Sequence, residues 1–294
     1  MGINIYVNEP DVYESVDFGR YTCVDNVYPG DRGGCDYGNV DAILVGLRDI
    51  VDDKFLERFR RVRYVVSNTT GVDHIRTRRA VEIIHLDPRE IEEVSATAEF
   101  TLGLLLSLVR KIPFVVERRS SDRRMSRGVQ LRGKTMGIFG MGRLGKRMAR
   151  YAEALDMSWM GYDLEHTEVD KHAILERCDV LTLHLPLTRE TAGFIGQPEF
   201  ERMARRPFLI NTSRPQLIDK QALIDALERS LVAGVAMDFV NYDGTNVWDP
   251  SLEEYMGERL LMTPHIAGNT YESVSHTARI VVEKLMKRVS RDRE

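Results

Sequence analysis

The stretch Lys134-Thr-Met-Gly-Ile-Phe-Gly140-Met-Gly142-Arg-Leu-Gly145-Lys-Arg-Met-Ala constrains this chain more than any other. An apolar run, Thr135 to Phe139, leads into three glycines spaced G-x-G-x-x-G. Leu144, Met148, Ala149, Ala152 and Leu155 then recur at helical intervals. Glycine has a separate use at each place. Gly140 permits a tight turn, Gly142 lets a pyrophosphate approach the backbone, and Gly145 lets the helix lie close to the strand. The N–H groups and positive dipole end at the start of that helix would hold the phosphates.

The residues past this helix strengthen the expectation. A second apolar run, Ser158-Trp-Met-Gly-Tyr-Asp163, ends in an acid about twenty residues beyond the glycines. A carboxylate there accepts hydrogen bonds from the adenosine ribose and repels a 2′-phosphate, so NAD is expected rather than NADP. The alternatives are a glycine turn that serves only packing, or another nucleotide-type ligand such as a methyl donor.

A chain of 294 residues has room for two domains. Its 43% hydrophobic and 29% charged residues describe an ordinary globular protein, and the net charge of −4 gives no footprint for nucleic acid or an acidic membrane surface. Cys23, Cys35 and Cys178 lack metal-site or disulfide-framework spacing, which suits a reducing, cytoplasmic setting. The N-terminus lacks the basic start and long apolar core of a signal peptide, and Thr101 to Val109 is too short to span a bilayer. The other histidines (His74, His85, His166, His172 and His276) have no metal-ligand spacing, so no metal is expected.

Along the chain, strand patterns alternate with helical ones. Strands are expected at Ile3–Val7, Tyr21–Val24, Val40–Gly46, Val62–Val66 and Glu82–Leu86, with a helix at Asp52–Arg61. A polar stretch, Asp87 to Glu93, marks a hinge. Ser95 to Val109 reads as a helix that is apolar nearly all round and hence buried. Past Asp163 come strands at Asp179–Leu185, Phe208–Asn211, Val232–Met237 and Leu260–Met262, and a terminal helix at Thr270–Val289. This alternation implies an α/β fold with doubly wound parallel sheets.

In such sheets ligands bind at the carboxyl ends of the strands. The residues there are His184 and Pro186, Thr212 to Arg214, Asp238 and His265, with the turn Ser67-Asn-Thr69-Thr70-Gly71-Val-Asp73 in the first part of the chain. An arginine can grip a carboxylate or polarise a carbonyl, and a histidine can move a hydroxyl proton near neutral pH. Together with a nicotinamide they suit hydride transfer.

In order and spacing these pieces resemble the D-isomer-specific 2-hydroxyacid dehydrogenase family over nearly the whole chain. The matching segments are Ser67–Ile75, Ser95–Val109, Gly133–Gly145, His184–Thr191, Asn211–Arg214, Asp238 and Thr263-Pro-His-Ile-Ala-Gly-Asn-Thr270. The resemblance implies two Rossmann-like domains: a flavodoxin-like substrate domain formed by 1–92 plus 270–294, and an inserted NAD-binding domain at 93–269. It implies that Arg214 binds the substrate carboxylate and carbonyl, that His265 is the acid/base, and that Asp243 stands behind His265. Thr69, Thr70 and Gly71 would offer backbone to the substrate. Gly140, Gly142, Arg143, Leu144, Gly145, Asp163, His184, Pro186, Thr191, Thr212, Asp238 and Gly268 would line the cofactor.

The expected activity is interconversion of a D-2-hydroxy acid and its 2-keto acid by a homodimer, the cradle sequence hinting at a phosphorylated or sugar-derived acid. The chain ends soon after its last helix, so the added regulatory domain of some phosphoglycerate dehydrogenases is not expected. Two departures from the family pattern stand out. Asp243 occupies a position that usually holds Glu, and Pro215 follows the arginine where Gly is usual. They leave room for a second reading, an NAD(H)-sensing binding or scaffold protein with little turnover.

Overall fold

The computed structural model describes residues 2–30, 35–47, 50–119, 122–164, 170–242 and 247–292. The chain divides into two compact units, Met1–Val94 with Asn269–Glu294, and Ser95–Gly268.

The first unit holds the strands β1 (Ile3–Val7), β2 (Val24–Pro29), β3 (Ala42–Val45), β4 (Tyr64–Ser67) and β5 (Glu82–Ile84). All pairings are parallel, in the order β2-β1-β3-β4-β5. Side chains alternate between the two faces of the sheet. Ile3, Ile5, Val7, Ala42, Leu44, Tyr64 and Val66 meet Val281, Val282 and Leu285 of the C-terminal helix Tyr271–Arg291 on one face. Tyr6, Ile43, Val45 and Val65 meet Leu56 and Phe59 on the other. With both faces covered, the central strands β3 and β4 are buried along their whole length, which is why they read as apolar runs rather than alternations.

Two sequence expectations shift here. The second strand occupies Val24–Pro29 rather than Tyr21–Val24. The helix expected over Asp52–Arg61 is helical only at Asp53–Leu56, capped by the Asp52 side chain on the Phe55 N–H at 2.7 Å. Phe59 is buried beyond the helix end, so packing of that ring, rather than a continuous helix, accounts for the apolar pattern.

The second unit carries β6 (Thr135–Phe139), β7 (Ser158–Tyr162), β8 (Val180–Leu183), β9 (Phe208–Asn211), β10 (Gly234–Met237) and β11 (Leu260–Met262). They form one parallel sheet in the order β11-β10-β9-β8-β6-β7. Its two faces bury separate sets: Leu181, Leu183, Leu209, Val235 and Met237 on one, Val180, Ile210, Ala236, Met136 and Ile138 on the other. The chain passes from β6 to β7 on one side and returns to β8 on the other. That reversal opens a crevice at the carboxyl ends of β6 and β8.

The helix at Ala96–Val109 packs through Leu104, Leu105 and Leu108. It is not covered all round: Glu99, Gly103, Leu106 and Arg110 form an exposed stripe, corrected from the buried helix expected. Pro113 lies in the first turn of a separate helix, Ile112–Arg118, entered after Lys111 adopts a left-handed backbone.

Candidate active site

The glycine turn sits at the crevice. Gly140, at φ +98°, could not carry a side chain: a Cβ there would lie 2.6 Å from the His184 carbonyl carbon. A Cβ on Gly145 would lie 2.0 Å from the Gly140 oxygen, because the helix Arg143–Ala154 comes down onto the turn. Gly142 differs. Its backbone, φ −70° and ψ −159°, is one any residue can adopt, and a Cβ there would meet nothing within 4 Å. Neither conformation nor internal packing requires glycine at 142. The room left open lies at the N-cap of a twelve-residue helix whose first N–H groups receive no side-chain cap from Gly142. Arg143 and Leu144 form the first turn. This cradle fits a dinucleotide pyrophosphate.

Asp163, at the exit of β7, closes the other side of the turn. Met141 N–H donates to its Oδ2 and Leu164 N–H to its Oδ1, both at 2.8 Å. At the exit of β8, His184 N–H donates to the Phe139 carbonyl at 2.7 Å, and its Nε2 pairs with the Thr182 hydroxyl at 2.8 Å. Nδ1 is buried and unpartnered among the described residues. Burial pushes the imidazole down to about 4, so His184 is neutral near pH 7. Pro186 and Thr191 belong to the following loop. Thr191 is fully buried, its hydroxyl donating to the Pro186 carbonyl at 2.6 Å and accepting from Thr188 N–H at 2.7 Å. Thr191 therefore shapes the loop from beneath. Thr212 likewise turns inward, its hydroxyl 2.7 Å from that of Thr101.

Arg214, Asp238 and His265, the residues expected to act on substrate and cofactor, follow the ends of β9, β10 and β11. Buried Asn211 ends β9 and grips the next turn twice. Its Nδ2 donates to the Arg214 carbonyl at 2.8 Å and its Oδ1 accepts from Ser213 N–H at 3.0 Å. The Ser213 hydroxyl donates to the Leu183 carbonyl, 3.0 Å. Arg214 is extended, φ −138° and ψ 141°, as a residue before proline prefers, and Pro215 starts the short 3-10 turn Pro215–Leu217.

Asp238, 2% exposed, follows β10. Its Oδ1 accepts from the Thr263 hydroxyl at 2.6 Å and Ile266 N–H at 2.9 Å, and its Oδ2 from Ala267 N–H at 2.6 Å. These bonds bracket His265, whose φ of +57° puts a non-glycine residue in the left-handed region. Such a backbone costs about 1–3 kcal/mol and persists only where surroundings dictate it. One buried carboxylate thus holds both arms of the histidine loop. Gly268 ends the loop, exposed, with Thr97 Oγ1 3.7 Å from where a Cβ would stand. Asp243 lies outside the described residues.

In the first unit, β4 empties into Ser67–Gly71. The Thr69 hydroxyl is 2.8 Å from that of Ser67 and donates to the Gly71 carbonyl at 2.7 Å, while Thr70 is exposed. Sequence reasoning missed a second feature here. The order reversal of this sheet falls between β1 and β3, where Glu9, 4% exposed, accepts from Gly46 N–H at 2.9 Å. The Tyr13 hydroxyl donates to the Val45 carbonyl at 2.9 Å. The signal was present as an acid two residues past the first strand.

The profile of the D-isomer specific 2-hydroxyacid dehydrogenase, NAD binding domain, matches residues 102–267. The chain belongs to this family. A glyoxylate reductase of Korarchaeum cryptofilum (strain OPF8) is 31% identical over 269 residues, covering 84% of this chain and 79% of that protein. A D-3-phosphoglycerate dehydrogenase of Archaeoglobus fulgidus is 30% identical over 263 residues, covering 84% of this chain but 49% of that one, so this chain spans about half its length. The crystal structure of D-lactate dehydrogenase from Aquifex aeolicus with NAD and lactic acid superposes with a TM-score of 0.76 at 21% identity, over 98% of this chain and 96% of that one. The family's cofactor is NAD, and the cradle at Gly140–Gly145 fits it. No helix among the described residues is long and apolar enough to cross a membrane.

Proposed function

We propose that the protein is an NAD-dependent dehydrogenase that interconverts a D-2-hydroxy acid and its 2-keto acid. The observation that carries this reading is the clamp of Asp238 on the histidine loop: a left-handed His265 held by a buried carboxylate at a strand end. When bound, NAD supplies the acceptor or donor of the hydride. The rest falls to the chain. Arg214 binds the substrate carboxylate and draws charge toward the carbonyl oxygen. His265 takes the hydroxyl proton during oxidation and returns it during reduction. Asp163 favours NAD by repelling a 2′-phosphate. Asp238 secures the loop that carries His265, and Asp243 is retained as the acid behind it on resemblance alone.

The second unit is proposed as the NAD-binding domain, as the profile match over 102–267 supports. The first is proposed as the substrate domain, with Thr69, Thr70 and Gly71 as a carboxylate-binding turn. The cradle sequence and the relatives named D-3-phosphoglycerate dehydrogenase and glyoxylate reductase favour a small or phosphorylated keto acid. A homodimer in a reducing, cytoplasmic setting completes the reading.

The test is loss of NADH absorbance with a panel of 2-keto acids, phosphorylated and not, run beside Arg214→Ala. Turnover of at least one keto acid, with kcat/KM reduced about a hundredfold or more in the variant, supports the reading. NADH binding without turnover of any of them would leave a cofactor-sensing protein instead.

A further inference from the structure

Pro215 removes one backbone donor from the turn that carries Arg214 and fixes its own φ, so the turn depends on its neighbours for attachment. On one side it is tied by Asn211 and by Ser213 to β8. On the other, Gln216 provides two ties of its own. Its carbonyl accepts from Gly193 N–H at 2.8 Å, and its Nε2 donates to the Tyr242 carbonyl at 2.7 Å. Tyr242 belongs to the segment that leaves β10 directly after Asp238, and its ring packs on Phe239 with centroids 6.1 Å apart. A single side chain two residues past Arg214 therefore joins the arginine turn to the segment whose acid secures the His265 loop.

We propose that Gln216 is a positioning residue: by bonding the Tyr242 carbonyl it fixes where the Pro215-stiffened turn presents Arg214 to the substrate carboxylate. This rests on the dehydrogenase reading. Arg214 grips that carboxylate before and during hydride transfer and also draws charge toward the carbonyl oxygen, so slack in the turn weakens substrate binding and slows the chemical step. The same bond, if it only stabilised the fold, would alter melting and leave kinetics untouched.

The experiment compares wild type with Gln216→Met, which keeps the length and loses the donor, and Gln216→Glu, which keeps length and polarity but offers only acceptors at neutral pH. For the keto acid turned over best, KM is expected to rise about three- to tenfold in both, the net worth of one hydrogen bond. Here kcat falls as well, while the Kd for NADH stays within about twofold of wild type. Wild-type KM in both variants overturns the proposal, whatever happens to Tm, and so does failure of both to fold, which marks the bond as structural. Arg214→Ala in the same series separates the two claims. Wild-type kinetics in that variant defeats the functional reading. A large loss there, with unchanged KM in both Gln216 variants, defeats only the inference about Gln216.

Discussion

At the scale of single residues, the site depends on side chains that act on backbone. Asp238 accepts three hydrogen bonds from Thr263, Ile266 and Ala267. Asp238→Asn leaves one oxygen and turns an NH2 group toward one of those donors, so stability should fall by about 1–3 kcal/mol. kcat should fall with it as His265 loses its enforced backbone; urea unfolding and steady-state rates measure both, and an unchanged pair refutes the clamp. His184 supplies a pH effect with a defined sign. The unfolded chain takes up a proton at about pH 6.5, the folded chain only at about 4, where burial holds the imidazole. Stability is therefore intact above about pH 6.5 and declines as pH falls toward 4, by up to about 2–3 kcal/mol from this group. His184→Gln should flatten that part of the urea-midpoint profile relative to wild type; parallel profiles would exclude His184 as the cause. Asp238 and His184 were both legible as strand-end residues, but their bonds were not. Those join segments 25 to 29 residues apart in one case and depend on burial in the other.

At the scale of elements, the strand–turn–helix at Thr135–Ala154 was readable because its three glycines are local requirements. The structure sorts them: Gly140 and Gly145 serve the protein's own packing, Gly142 serves open space. Gly142→Ala should therefore leave the melting temperature within about 1–2 °C while weakening NADH binding by about tenfold or more, as a methyl group stands where a pyrophosphate must approach. Calorimetry and fluorescence titration separate the two. Equal affinity would mean that the cofactor lies elsewhere. Elements set by distant packing were read less well. The helix after Asp52 stops at Leu56 while Phe59 is buried beyond its end, and β2 starts at Val24 where pairing with β1 begins. The helix Ala96–Val109 is apolar enough to suggest complete burial, yet it keeps a stripe open at Gly103 and Leu106.

At the scale of the whole molecule, the second unit also exposes apolar residues of the following helix, Ile112 at 50% and Val116 at 70%. Such a surface suits a second copy of the chain. Light scattering at micromolar concentration should give twice the chain mass of 33.7 kDa, and Val116→Glu should shift it toward the monomer; a monomeric wild type contradicts the dimer. The proposed reaction requires that this molecule turn over a 2-keto acid with His265 as the proton carrier. His265→Ala tests it most directly, assayed with NADH and the keto acid that wild type reduces best. The expected result is a kcat lower by about a hundredfold or more, with the Kd for NADH within about twofold of wild type, since the cradle at Gly140–Gly145 is untouched. A variant that reduces the keto acid at close to the wild-type rate would show that His265 does not carry the proton.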